Sequence, residues 1–195
     1  MEMFTLKTKR LILREWQPAD RAPFARMNAD PRVMEFLADP LTREESDRGV
    51  DRIETHFRLH GYGLYAVELA EAHEFVGFIG LAVPSFEAQF TPCVEIGWRL
   101  AAEHWGKGLA TEGAREIVRY AFEDLNLESL VSFTAAGNVR SRRVMERLGM
   151  ARDPAEDFDH PKLPARHPLR RHVLYRLSRA GWNKQLQSTG TRSQS

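Results

Sequence analysis

Apolar positions change their period several times along the chain, and the changes mark its elements. Residues 4–16, FTLKTKRLILREW, set Leu11 and Leu13 between polar neighbours, the two-residue period of a half-buried strand. PADRAPFARMNADP and LTREESDRGVDRIETHFRLHG predict two helices, the second ended by Gly61. YGLYAVELA and EFVGFIGLAVP are β-rich runs separated by charged residues, and they predict a hairpin. CVEIGWRL, residues 93–100, predicts a fourth strand. From Leu109 onward, Ala110, Ala114, Ile117, Val118, Ala121, Phe122 and Leu125 follow helical spacing. LVSFTA predicts a fifth strand, NVRSRRVMERLG a short helix opened by Asn138 and closed by Gly149, and RHVLYRLSR a late strand. The last stretch, residues 183–195, lacks apolar content and is expected to be a disordered tail. The order β-α-α-β-β-β-α-β-α-β-β has no internal repeat and no dividing linker. It predicts a single α/β (α+β) domain over residues 1–182, built on a mixed sheet.

Composition narrows the class without changing that picture. A chain of 195 residues buries a core large enough to need no disulfides, and its single cysteine, Cys93, excludes an internal one. Lys+Arg 28 against Asp+Glu 27 gives a net charge of +1, so overall charge makes no case for nucleic acid. The sequence contains neither an apolar run long enough to span a membrane nor a signal-peptide core. A cytoplasmic protein is expected.

One stretch breaks the helical logic. HWGKGLATEGAREIVRYAF, residues 104–122, puts Gly106 and Gly108 at a helix entrance, although glycine costs a helix about 1 kcal/mol relative to alanine. The first turn of a helix has N–H groups without partners and carries partial positive charge. Glycines there let a pyrophosphate approach the backbone closely. The segment matches neither the Walker A loop nor the Rossmann loop. A tight turn chosen for steric reasons would use the same glycines.

Together, VEIGWRLAAEHWGKGLATEGA and the later NVRSRRVMERLGM resemble the GNAT superfamily of acyl-CoA-dependent N-acetyltransferases. The similarity is greatest to the Rim-type branch, which acetylates ribosomal-protein N-termini. Trp105 in the first loop position suits that branch, as does TKRLILREW as an opening strand. The resemblance covers about residues 5 to 178. It implies a mostly antiparallel sheet flanked by helices and splayed between strands 4 and 5, with acetyl-CoA's pantetheine in the splay. It also implies cofactor contacts at Trp98, Arg99, Leu100, Trp105, Gly106, Lys107, Gly108, Leu109, Ala110, Thr111, Asn138 and Ser141.

The chemistry of amine acetylation selects further residues. An α-amino group has a pKa near 8 and a lysine near 10.4, so a general base assists attack. Alternation along the fourth strand puts Glu95, Gly97 and Arg99 opposite Val94, Ile96, Trp98 and Leu100. Glu95 is therefore off the large-apolar face, and the resemblance makes it the candidate base; a solvated or salt-bridged strand carboxylate is the structural alternative. The departing thiolate also takes a proton. Where the superfamily commonly has a tyrosine, this chain has Met145, and the resemblance points to Ser141 as substitute acid. Bonding to its own helix is the other use of that hydroxyl. Asn138 suits a helix cap.

The region between Asn138 and Arg176 carries ten Lys/Arg against five Asp/Glu. Contact with the cofactor's 3′-phosphate, with an acidic partner or with ribosomal RNA would use that charge, and so would a solvated face. DFDHPKLPARHPLRRHVLY contains three prolines and predicts a long ordered loop between two late strands. The resemblance makes this loop a wall of the acceptor site. Asp157 and Asp159 are expected to share a face, to hold an ammonium group and to rival Glu95 as base; His160 joins them. Phe36 of MEFLADP is a candidate for the opposite wall. His160, His167 and His172 are too irregularly spaced for a zinc site, so no metal is expected. Cys93 has no partner base near it in sequence and reads as a small hydrophobe.

Two functions of different class remain. One is an acetyltransferase using acetyl-CoA on a protein N-terminus or a small-molecule amine, as a monomer or homodimer. It would have no membrane partner, and would meet nucleic acid only through the ribosome. The other is a non-catalytic acyl-CoA-binding or ribosome-associated module, favoured by Met145.

Overall fold

The computed structural model describes residues 4–37 and 39–190. It divides into two compact units. One is built on the chain up to Ala82 together with Ile96–Ile117; the other is built on Val83–Glu95 together with the chain from Val118 onward.

The first unit opens with a hairpin instead of the single strand expected for residues 4–16. Strands β1 (Thr5–Lys7) and β2 (Leu11–Arg14) pair antiparallel. Thr8 turns the chain between them, because its hydroxyl accepts the Leu11 N–H at 3.0 Å while its own N–H donates to the Leu11 carbonyl. The first predicted helix, residues 18–31, is shorter than expected. A 3-10 turn at Pro18–Asp20 leads into α1 (Arg21–Asn28), and a separate four-residue α2 (Pro31–Met34) follows, capped by Asp30 through the Arg32 N–H. Helix α3 (Arg43–His60) carries the capping box of Thr42 and Glu45 and ends at Gly61. Strands β3 (Leu64–Leu69) and β4 (Phe75–Ala82) form the expected hairpin, and β2 pairs with β3 antiparallel. Phe24, Met27, Val33, Val50 and Phe78 form a buried cluster, with Trp16, Leu64, Phe75 and Trp105 packed against it.

Strand β5 (Glu95–Leu100) and helix α4 (Leu109–Arg119) carry the segment singled out above. A Cβ on Gly77 of β4 would lie 2.1 Å from the Arg99 carbonyl oxygen, so only glycine admits the approach of β5 there.

In the second unit, α4 relaxes into a π-helical turn, Tyr120–Asp124. Strand β6 (Ser129–Ala135) then pairs antiparallel with β9 (Arg171–Ser178) along its whole length. Between them in sequence lie helix α5 (Val139–Arg147), β7 (Ala151–Arg152) and β8 (Phe158–Asp159), and both short strands pair with β9. Glu95 pairs with Val131 of β6 in parallel, which makes the strand pairing mixed although it is mostly antiparallel. The expected disordered tail is corrected for its described part, since Arg179–Gly190 forms helix α6. Trp182 packs near Phe122, and the Gln185 amide donates to the Gly149 carbonyl, so this polar segment is held by tertiary contacts. Residues 191–195 lie outside the described residues.

Candidate active site

The loop before α4 is open and glycine-rich. Gly106 and Gly108 adopt φ of +73° and +77°, left-handed values that cost L-residues strain. A Cβ on Gly106 would meet nothing within 4 Å, so the loop is open outward. Glu112 is the first residue to close the helical ladder, its N–H donating to the Gly108 carbonyl at 3.0 Å. The N–H groups ahead of it, at Leu109, Ala110 and Thr111, have no helical acceptor. Lys107 is exposed, whereas Leu109 and Thr111 are buried and anchor the turn from below. Trp105 also anchors the loop. Its indole packs against the hydrophobic cluster and its N–H donates to the Leu100 carbonyl at 2.8 Å, fixing the loop to the end of β5.

Sequence reasoning missed the brace of this loop. Glu112 accepts from the Thr8 hydroxyl (2.7 Å), the Arg10 N–H (2.8 Å) and the Arg10 Nε (2.6 Å). The other arm of the Arg10 guanidinium donates to the Lys107 carbonyl at 2.9 Å. The pairing neutralises Glu112, so its carboxylate does not cancel the positive helix end. Thr8 and Arg10 both belong to the opening TKRLILREW, and a conspicuous motif at each end of the segment was the available signal.

Strand β5 carries two titratable side chains, Glu95 and Arg99, that meet no opposite charge among the described residues. Ile96 and Leu100 are buried, while Glu95, Gly97, Trp98 and Arg99 are half-buried. Surface area leaves Glu95 partly accessible, yet protein atoms crowd its carboxyl and burial pushes it up to about 8. Among the described residues no cation or hydrogen-bond donor offsets that burial. Arg99 is likewise desolvated, which lowers it to about 10 and leaves it charged at neutral pH. It donates to Asn28 Oδ1 at 2.7 Å and lies 5.3 Å from the centroid of the Phe78 ring. Phe36, also in the first unit, sits half-buried in the turn after α2.

In the second unit, Asn138 caps α5 by accepting the Ser141 N–H at 3.1 Å and donates its amide to Thr134 Oγ1. The same bond draws Asn138 and Ser141 together. Met145 is 1% exposed and faces the core, so no group from that position reaches solvent.

The loop acids depart from expectation. Asp157 and Asp159 do not share an environment: their side chains are 8% and 52% exposed. Asp157 ends a 3-10 turn just before β8 and forms a bidentate pair with Arg152. Asp159 meets Arg170 and Arg171. In each case the first cause is the bond to an arginine, and it holds the carboxyl below its ordinary value. Both are therefore weak proton acceptors. The His160 ring lies 4.8 Å from Phe86 and 4.9 Å from His172, and burial foremost pushes it down to about 4, so it is neutral. No group of three potential metal ligands occurs among the described residues. Burial, followed by the nearby Glu95, raises the Cys93 thiol to about 11, which keeps it protonated. No described helix is long and apolar enough to cross a membrane.

Comparison with known proteins identifies the family. Residues 10–151 match the family described as Acetyltransferase (GNAT) domain. FsC-acetyl coenzyme A-N(2)-transacetylase of Aspergillus fumigatus is 34% identical over 97% of this chain and 82% of its own length. A solved acetyltransferase from Agrobacterium tumefaciens shares 30% identity, with a TM-score of 0.72 over 91% of this chain and 95% of its own. Spermidine N-acetyltransferase from Vibrio cholerae, solved with CoA and spermine, shares the fold at 18% identity and a TM-score of 0.71, over 90% of this chain and 99% of its own. Ribosomal-protein acetyltransferases are among the other chains of the same fold. The chain belongs to the GNAT family of acetyltransferases.

Proposed function

We propose that this protein acetylates a primary amine, on a protein N-terminus or a small molecule, by direct attack in a ternary complex with acetyl-CoA, and that Glu95 accepts the amine proton. The observation that carries the reading is a half-buried carboxyl with no counter-charge, raised to about 8. Perturbed, unpaired groups of this kind concentrate where proton transfer occurs. A base with a value near the working pH combines availability with driving force. It also matches an α-amino group, near 8, better than a lysine, near 10.4.

Acetyl-CoA supplies an acetyl group already activated as a thioester. The residues present suit it: two left-handed glycines, an outward-open loop and the unpartnered N–H groups of an 11-residue helix would hold the pyrophosphate. Arg10 and Glu112 would keep that loop in shape. Ser141, one turn into α5, is the donor we assign to the leaving sulfur, a role supported by resemblance. The single cysteine suits a reducing cytoplasm.

Thiol release from acetyl-CoA over a panel of amines and N-terminal peptides tests the reading. Turnover is expected with an apparent midpoint near pH 8 in kcat/KM. Tight CoA binding without turnover on any amine would instead identify a non-catalytic binding module.

A further inference from the structure

Arg99 is a cation with a built setting and, among the described residues, no carboxylate partner. Asn28 is fully buried, and its amide donates to the equally buried Ser46 hydroxyl at 2.9 Å. That bond fixes which end of Asn28 faces Arg99, so Oδ1 receives Nη1 at 2.7 Å. The Phe78 ring, 8% exposed, lies beside the guanidinium at 5.3 Å from its centroid. One of the five N–H donors of the fork is thus used by a neutral oxygen, and the aromatic ring adds a weak attraction. An ion removed from water without a paired charge is costly, and such groups are ordinarily paired. Arg14 in the same unit shows the ordinary solution, with Asp20 at 2.7 Å and Glu68 at 2.9 Å. Arg99 is nevertheless half-exposed, so an incoming group can reach it.

We propose that the Arg99 side chain receives a carboxylate carried by the amine acceptor, making amino acids or short peptides with a free carboxylate the preferred substrate class. The proposal rests on the acetyl-transfer reading above. A planar carboxylate takes two parallel N–H bonds from the unused edge of a guanidinium fork, and the two charges cancel one for one. A phosphate is less suited, because it brings more charge than the single arginine offsets and the glycine loop already provides for phosphates. Alternation along β5 puts Arg99 on the same side of the strand as Glu95.

The test compares α-amino acids and ω-amino acids with their own amides as acceptors, following thiol release from acetyl-CoA. The wild type should favour the acid over the amide by at least tenfold in kcat/KM. Arg99→Gln should bring that ratio to within about twofold, chiefly through KM, and Arg99→Lys should restore part of it. An acid-to-amide ratio near one in the wild type would overturn the proposal, as would a ratio unchanged in Arg99→Gln.

A second measurement does not depend on turnover. In 15N-labelled wild type, the Arg99 Nε–H resonance, identified by its loss in Arg99→Gln, is followed while N-acetyl amino acids or their amides are added. A saturable shift with the acids alone supports the receptor, even if no amine proves to be acetylated. No shift with either set, or equal shifts with both, contradicts it.

Discussion

Arg14 and Arg99 are both desolvated arginines of the same unit, and the fold treats them oppositely. Arg14 is 8% exposed, lies between Asp20 and Glu68, and is raised foremost by its bond to Asp20. Arg99 has a neutral amide and a ring, and burial alone lowers it. The second unit repeats the contrast with carboxylates. Asp157 is clamped by Arg152 and lowered, whereas Glu95 has no such partner and is raised. Where charge serves the fold it is paired within the fold. Glu95 and Arg99, the unpaired members of these two contrasts, both stand on β5, the strand that also leads into the glycine loop.

The largest expected effect tests the unpaired carboxylate. Glu95→Gln keeps the shape, removes the base, and should lower turnover by about 10²–10⁴ while CoA affinity, measured by calorimetry, stays within a few-fold. The same substitution has a signed effect on stability. The folded value lies above the unfolded value of 4.5, so the favourable contribution of protonated Glu95 is present below about 4.5 and is lost as pH rises through about 8. Denaturant midpoints should therefore show the wild type losing stability relative to Glu95→Gln over that window.

The two arginines should separate next. Arg14→Gln takes the buried cation from Asp20 and leaves Glu68 only His73, and it should cost about 3–5 kcal/mol in urea denaturation, the usual penalty for breaking a buried pair. Arg99→Gln removes a charge that nothing in the fold neutralises, and it should leave stability unchanged or raise it. Equal losses would mean that Arg99 is simply another structural cation.

A smaller effect is expected at the phosphate loop. Gly108→Val puts a β-branched side chain at φ +77° and should weaken CoA binding at least tenfold, with the circular dichroism spectrum unchanged. The smallest effects belong to the paired acids. Asp157→Asn should cost about 1–3 kcal/mol of stability and the exposed Asp159→Asn should leave the denaturation midpoint unchanged, with thiol release within about twofold for both. A large turnover loss at either one would move the base into the loop.

Much of the site was legible because its signals are local. Gly106 and Gly108 at a helix entrance, and Asn138 three residues before Ser141, announce a loop and a cap through backbone chemistry alone. Alternation of apolar residues placed Glu95 off the face of Ile96 and Leu100. What stayed hidden depends on distant partners. The Arg10–Glu112 brace joins positions 102 residues apart, and the Asn28–Arg99 bond joins positions 71 apart. The acidic character of DFD concealed the fact that Asp157 and Asp159 answer to different arginines. The polar stretch after residue 183 gave no sign that Gln185 would bond to Gly149 and extend a helix.

The central claim is that Glu95 is held unpaired and exchanges its proton near pH 8, well above the ordinary carboxylate range. Its side-chain carboxyl 13C resonance, assigned by its absence in Glu95→Gln, can be titrated directly in the folded protein. A midpoint near 8, with Asp157 titrating below the ordinary aspartate value, is the predicted result. A Glu95 midpoint near 4.5 would contradict the account.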